Sequence, residues 1–95
     1  MLFRSLFSHA VLAHDPILSC FDNKNGTITC EAGYSDGAPS AGQTIRVLQT
    51  NKRLILENKF GKDSSYTFKK PATPYIVEFV GDTAHRAEVD GEDIK

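Results

Sequence analysis

The chain is most informative first for what it has little of. It has 11 basic and 12 acidic residues in 95, a net charge of −1, so it offers no basic footprint for the phosphates of a nucleic acid. Its two cysteines are too few for a multi-bridge scaffold and are not spaced as C-x-x-C, which argues against a redox or zinc motif. Apolar residues never recur with a convincing helical period, and apart from the first residues no long apolar run occurs. The opening MLFRSLFSHAVLA is itself too short to span a bilayer. No glycine-rich phosphate cradle, nucleophile elbow, internal repeat or low-complexity tract is present, so nothing in the sequence argues for an enzyme.

What is there is alternation. Ile17 to Tyr34 reads ILSCFDNKNGTITCEAGY, two apolar-alternating runs around a polar, glycine-bearing turn, the pattern of a β-hairpin. With Lys24, Asn25 and Gly26 as a three-residue loop and Gly26 left-handed, Asn23 faces Thr27, Leu18 faces Ala32 and Cys20 faces Cys30. Leu18, Ile28, Ala32 and Tyr34 then share the cysteines' face, so register and apolar pattern agree. A disulfide between Cys20 and Cys30 is expected, and it suits an oxidising compartment.

Further strands follow at roughly ten-residue spacing. Gln43 to Gln49 puts Ile45 and Val47 inward, and Arg53 to Phe60 returns with Leu54 and Leu56 facing the core. Tyr66 to Lys70 places Tyr66 and Phe68 on one face before Pro71 and Pro74 end it. Tyr75 to Val80, with Tyr75, Val77 and Phe79 opposite Glu78, is the most strand-like run and is expected to be central. His85 to Asp90 points Ala87 and Val89 inward, and Gly91 to Lys95 reads as a frayed acidic tail. Seven short strands make the expected fold an all-β, seven-stranded, immunoglobulin-like sandwich with one disulfide inside a hairpin.

The first residues stand apart. Arg4, an apolar run and the ending Val11-Leu12-Ala13 read as a signal peptide or a truncated remnant of one, over residues 1–13, cleaved after Ala13. Residues 14–95 are then a single domain of net charge −2, since Arg4 is the one charged residue removed from a total of −1. The location expected is periplasmic or secreted.

Cleavage there makes His14 the first residue, with an α-amine and an imidazole that together suit copper or nickel. His85, on the inward side of a strand start, is the natural second ligand, and Asp15 or Asp90 adds oxygen, so the metal-ligating set expected is His14, His85 and Asp90. A plainer reading makes His14 a terminal surface histidine and His85 a rim histidine satisfied by backbone carbonyls. Asn23 to Thr29 mimics the middle of an EF-hand loop, but Phe21 and Ala32 stand where its first and last carboxylates belong. Asn25-Gly26-Thr27 matches a glycosylation acceptor, which turn chemistry explains sufficiently.

Three local patterns carry a resemblance. Gly37-Ala38-Pro39-Ser40-Ala41-Gly42 precedes Ile45-Arg46-Val47; Lys62-Asp63-Ser64-Ser65 precedes Tyr66-Thr67-Phe68; and Pro74-Tyr75-Ile76-Val77 opens a strand. This resembles the transthyretin-like, or carboxypeptidase-regulatory-like, group of small sandwiches, although Ser65 stands where that group has a glycine. The start at Ala13-His14 with Ala84-His85-Arg86 and Val89-Asp90-Gly91 is similar to the small periplasmic accessory proteins of nickel and cobalt uptake systems of the energy-coupling-factor type. That resemblance implies a non-catalytic, exported protein that handles nickel or cobalt by metal contact or by docking on a membrane transporter component. The alternative is a structural or protein- or glycan-interaction module with no metal role.

Overall fold

A computed structural model describes residues 14–81 and 86–95, and in these it is all-β. Its strands are β1 (Pro16–Asp22), β2 (Thr27–Tyr34), β3 (Thr44–Gln49), β4 (Leu54–Lys59), β5 (Ser65–Lys69), β6 (Tyr75–Val80) and β7 (Arg86–Asp90). Two antiparallel sheets form, one in the order β1-β2-β5 and the other β4-β3-β6-β7. In the constant-type immunoglobulin arrangement the fourth strand lies beside the fifth. Here β4 pairs with β3 instead, which gives sheets of three and four strands.

The first hairpin takes the expected register, with Leu18 opposite Ala32 and Cys20 opposite Cys30. Asn23 N–H donates to the Thr27 carbonyl at 3.0 Å. Counting back two residues at a time makes Cys20 and Cys30 a non-hydrogen-bonded pair, the kind in which opposed Cα atoms come closest. Their Cα atoms are 4.0 Å apart and the sulfurs are bonded. The turn differs in one detail. Lys24 as well as Gly26 has a positive φ (64° and 92°), and the Asp22 carboxylate accepts from Lys24 N–H at 2.7 Å, which offsets the cost of placing a side chain there.

Between the sheets, Ile28, Cys30, Ile45, Val47, Val77 and Phe79 are fully buried. Phe79 sits at the centre, edge-on to Phe60 at 5.4 Å and tilted against Tyr34 at 5.5 Å. As expected, β6 is an interior strand. The loop after β2 is sewn down by buried Ser40, whose hydroxyl donates to the Ala32 carbonyl at 2.8 Å and whose N–H donates to Ser64 Oγ at 3.1 Å. At the Lys62–Ser65 turn the positive φ falls on Ser64 (62°). The Asp63 carboxylate accepts from both the N–H and the hydroxyl of Ser65, so this turn is built without a glycine at position 65.

Two expectations need correction. Leu54 does not face the core. Val47 pairs with Leu56 but Leu48 pairs with Leu54, so Ile55 is an extra residue in β4. Such a bulge breaks the two-residue alternation, leaving Leu56 packed on the core while Leu54 is 53% exposed. Nor is the C-terminus frayed. Gly91–Asp93 forms a 3-10 turn, Ile94 is buried in the core cluster, and the Lys95 carbonyl accepts from Asp22 N–H at 3.2 Å. Gly91 is required there, since a Cβ would lie 2.7 Å from the Tyr75 ring.

On the outer face of the larger sheet, Glu78 lies opposite the core side, yet it is only 7% exposed. Arg86 reaches its carboxylate at 3.0 Å and Arg46 at 3.7 Å, and Arg46 also holds Glu57 at 2.8 Å. The four charges form a ladder across four strands.

Ile94→Ala should destabilise the protein by about 2 kcal/mol in urea unfolding, the low end for an aliphatic residue cut to alanine, because its site lies near a chain end that can relax. A frayed tail would give no change.

Candidate functional site

The two ends of the sandwich carry the groups with chemical potential. At one end β1 begins. Asp15 is tied to the exit of β2 by its N–H, which donates to Ser35 Oγ at 2.9 Å, and by its carbonyl, which accepts from Ser35 N–H at 2.9 Å. This places the His14 ring flat on Tyr34, with centroids 4.1 Å apart and planes 7° from parallel. His14 Nδ1 is 2.6 Å from Asp36 Oδ2. The Tyr34 hydroxyl donates to Gln43 Oε1 at 2.5 Å. A column of rings therefore runs from surface to centre: His14, Tyr34, Phe79, Phe60.

Asp36 is itself fixed. Its other oxygen accepts from Ala38 N–H at 3.0 Å. That bond first, and the His14 imidazole second, hold its carboxyl below the usual carboxylate range. A carboxylate on one ring nitrogen is the arrangement that orients metal-ligating histidines. It also has a chemical consequence. A chelate of the α-amine with the imidazole of one histidine uses Nδ1, and Asp36 engages that atom, so this chelate and the Asp36 contact exclude one another.

Of the expected ligands, His14 and Asp90 are not brought together. Arg86 pairs with Val80, next to Phe79 at the His14 end. Asp90 lies four residues further along β7, about 13 Å at the rise of a strand. There it pairs with Ile76 and accepts from Glu92 N–H at 3.1 Å, capping the 3-10 turn. His85 lies outside the described residues, as do residues 1–13; Arg86, which follows His85, begins at the His14 end. Among the described residues no group of three or more histidine, cysteine or acidic side chains could hold a metal ion. Among them, too, no helix is long and apolar enough to cross a membrane.

The opposite end holds a cleft of about 410 Å³ between the β5–β6 loop and the C-terminal turn. Pro71, Pro74 and Ile94 supply apolar wall, and Thr50 and Thr73 supply hydroxyls. Lys70 also lines it and reaches Asp22 at 3.0 Å. Tyr75 lines it as well, and its hydroxyl, fully shielded from water, has no hydrogen-bond partner among the described residues. Burial pushes that phenol up from its ordinary value, and the Asp22 charge adds to the effect against the opposing pull of Lys70.

Sequence reasoning found His14 but neither Asp36 nor the Tyr34 face beneath it. Asp36 lies in the small, turn-rich stretch Ser35-Asp36-Gly37, and it makes a turn bond to Ala38 N–H as well. The cleft had no local signature, because Thr50, residues 70–75 and residues 90–94 meet only in the folded chain.

No protein-family model, no curated protein and no solved structure matches this chain.

Asp22 generates a pH prediction. The Lys24 N–H first and the Lys70 ammonium second hold its carboxyl below the ordinary 3.8. Its folded value lies below its unfolded one, so its stabilising contribution is complete above about pH 5 and is lost as pH falls through the lowered value. Lys70 is raised by the same partner, so its share is complete below its unfolded value and lost only in strong alkali. Asp22→Asn should lower the melting temperature at pH 7, and the gap from the native chain should close between about pH 4 and pH 2 in scans across that range.

Proposed function

We propose that this chain is an exported, non-catalytic β-sandwich that assists divalent-metal uptake, with nickel or cobalt as cargo and a membrane transporter component as partner. The observation that carries the reading is the carboxylate-braced imidazole: His14 is oriented by Asp36 and seated on Tyr34 at the surface end of the aromatic column. A metal on this imidazole takes its remaining ligands from water, from the partner, or from His85, which precedes Arg86 in the sequence. Asp90 has no part in this site, because it caps the C-terminal turn at the other end. The disulfide agrees with an oxidising location. The resemblance to periplasmic accessory proteins of nickel and cobalt uptake supports the same reading through Ala13-His14, Ala84-His85-Arg86 and Val89-Asp90-Gly91.

A second reading has its own observation. Ile17 and Phe21 on β1 and Leu54 and Ile55 on β4 are large apolar side chains left exposed on edge strands. Exposed apolar groups at sheet edges are where protein partners add, and a plain interaction module needs nothing more.

Calorimetry separates the two. Nickel, cobalt and copper salts titrated into the chain beginning at His14 should give saturable binding. His14→Ala should abolish it, His85→Ala should weaken it, and Asp36→Asn should weaken it ten- to a hundredfold, the range for loss of an orienting partner. Absence of binding, or binding indifferent to His14→Ala, removes the metal role and leaves the interaction module.

A further inference from the structure

The cleft at the far end of the sandwich is independent of the His14 site and has its own unanswered group. Tyr75 is 5% exposed, and its ring is held edge-on to Phe68 at 6.4 Å and against Gly91. Among the described residues its hydroxyl has no partner. A buried hydroxyl without a partner forfeits the hydrogen bonds it made in water. The ring needs no hydroxyl to pack, so a phenylalanine would fill the same space without that penalty.

The rest of the lining narrows the ligand. The Lys70 ammonium is already held by the Asp22 carboxylate, and the Asp90 carboxylate is occupied by the amide it caps. That leaves the Asp90 and Glu92 carboxylates on the lining without a cationic partner among the described residues, which repels a simple anion and offers acceptors to hydroxyl groups. What it offers are hydroxyls that both donate and accept, at Thr50, Thr73 and Tyr75, the Glu92 side chain as a further acceptor, and flat apolar wall from Pro71 and Pro74. Its volume of about 410 Å³ falls in the range of small-molecule sites.

From this juxtaposition we infer that the cleft binds a neutral, hydroxylated ring compound of the saccharide class, whose hydroxyls pair with Thr73, Glu92 and the orphaned Tyr75 hydroxyl while its C–H face lies on the prolines. The Tyr75 hydroxyl is shielded in the free chain, so a ligand reaches it only by a local shift of the lining around it. The site is at the opposite end from His14, so it stands or falls separately from the metal reading.

The test is an amide NMR titration of the full chain with the methyl glycosides of glucose, galactose and N-acetylglucosamine, with sodium acetate and ethylamine hydrochloride as charged controls. The expected result is a saturable shift at Thr73, Gly91 and Glu92 with at least one glycoside, weakened at least tenfold in both Tyr75→Phe and Thr73→Val. Free Tyr75→Phe should melt at or above the temperature of the native chain, since the lost hydroxyl bonds nothing. No saturable shift with any glycoside, unchanged affinity in Tyr75→Phe, a stronger response to either charged control, or a lower melting temperature for free Tyr75→Phe each overturns the inference.

Discussion

The bond between Cys20 and Cys30 is the constraint on which both ends of the molecule depend. β1 is an edge strand that contributes little to the core: its residues alternate between half-buried and exposed, with none wholly buried. Cys30, in contrast, is completely buried beside Ile28 in β2. The disulfide therefore fastens a weakly held strand to a strongly held one. A slip of one residue would turn every side chain of β1 to the other face, and the cross-link forbids it.

From that register follow the two sets of contacts that give the molecule its chemistry. At the start of β1, His14 arrives over Tyr34 and beside Asp36. At its end, Asp22 reaches Lys24, Lys70 and the carbonyl of Lys95. One strand thus sets both the braced imidazole and the ion pair beside the cleft. The larger sheet, by comparison, holds itself. Its interior strands β3 and β6 carry Ile45, Val47, Val77 and Phe79 into the core, and the ladder of Glu57, Arg46, Glu78 and Arg86 runs across its outer face.

Much of this architecture could be read from alternation alone, because period two and turn chemistry are local. The hairpin register, the seven strands, the interior place of β6 and the inward faces of β2, β3 and β5 all follow from neighbours a few residues apart. The failures share a cause as well. Leu54 keeps the right parity in sequence, but the extra residue at Ile55 belongs to the pairing with β3, which no local pattern reveals. Ile94 looks like part of an acidic tail because a single apolar residue has no period, and only the gap beside β1 and Tyr75 gives it a place. Glu78 lies on the face opposite Tyr75, Val77 and Phe79, as its parity requires, but the two arginines from neighbouring strands that close over it have no local signature. The sites were less legible still: His14 and Asp90 are both plausible ligands by type, but strand β7 separates them by its length. Asp36 and the Tyr75 cleft exist only through contacts between distant loops.

The most direct test of the account removes the cross-link. In the chain-entropy picture, closing an eleven-residue loop contributes about 3 kcal/mol. Native-state hydrogen exchange and urea unfolding of Cys20→Ala/Cys30→Ala should show a loss of about that size, with β1 amides losing protection first and those of β3 and β6 last. A double variant that keeps native stability, with β1 as protected as β6, would contradict the claim that this bond holds the strand on which both ends depend.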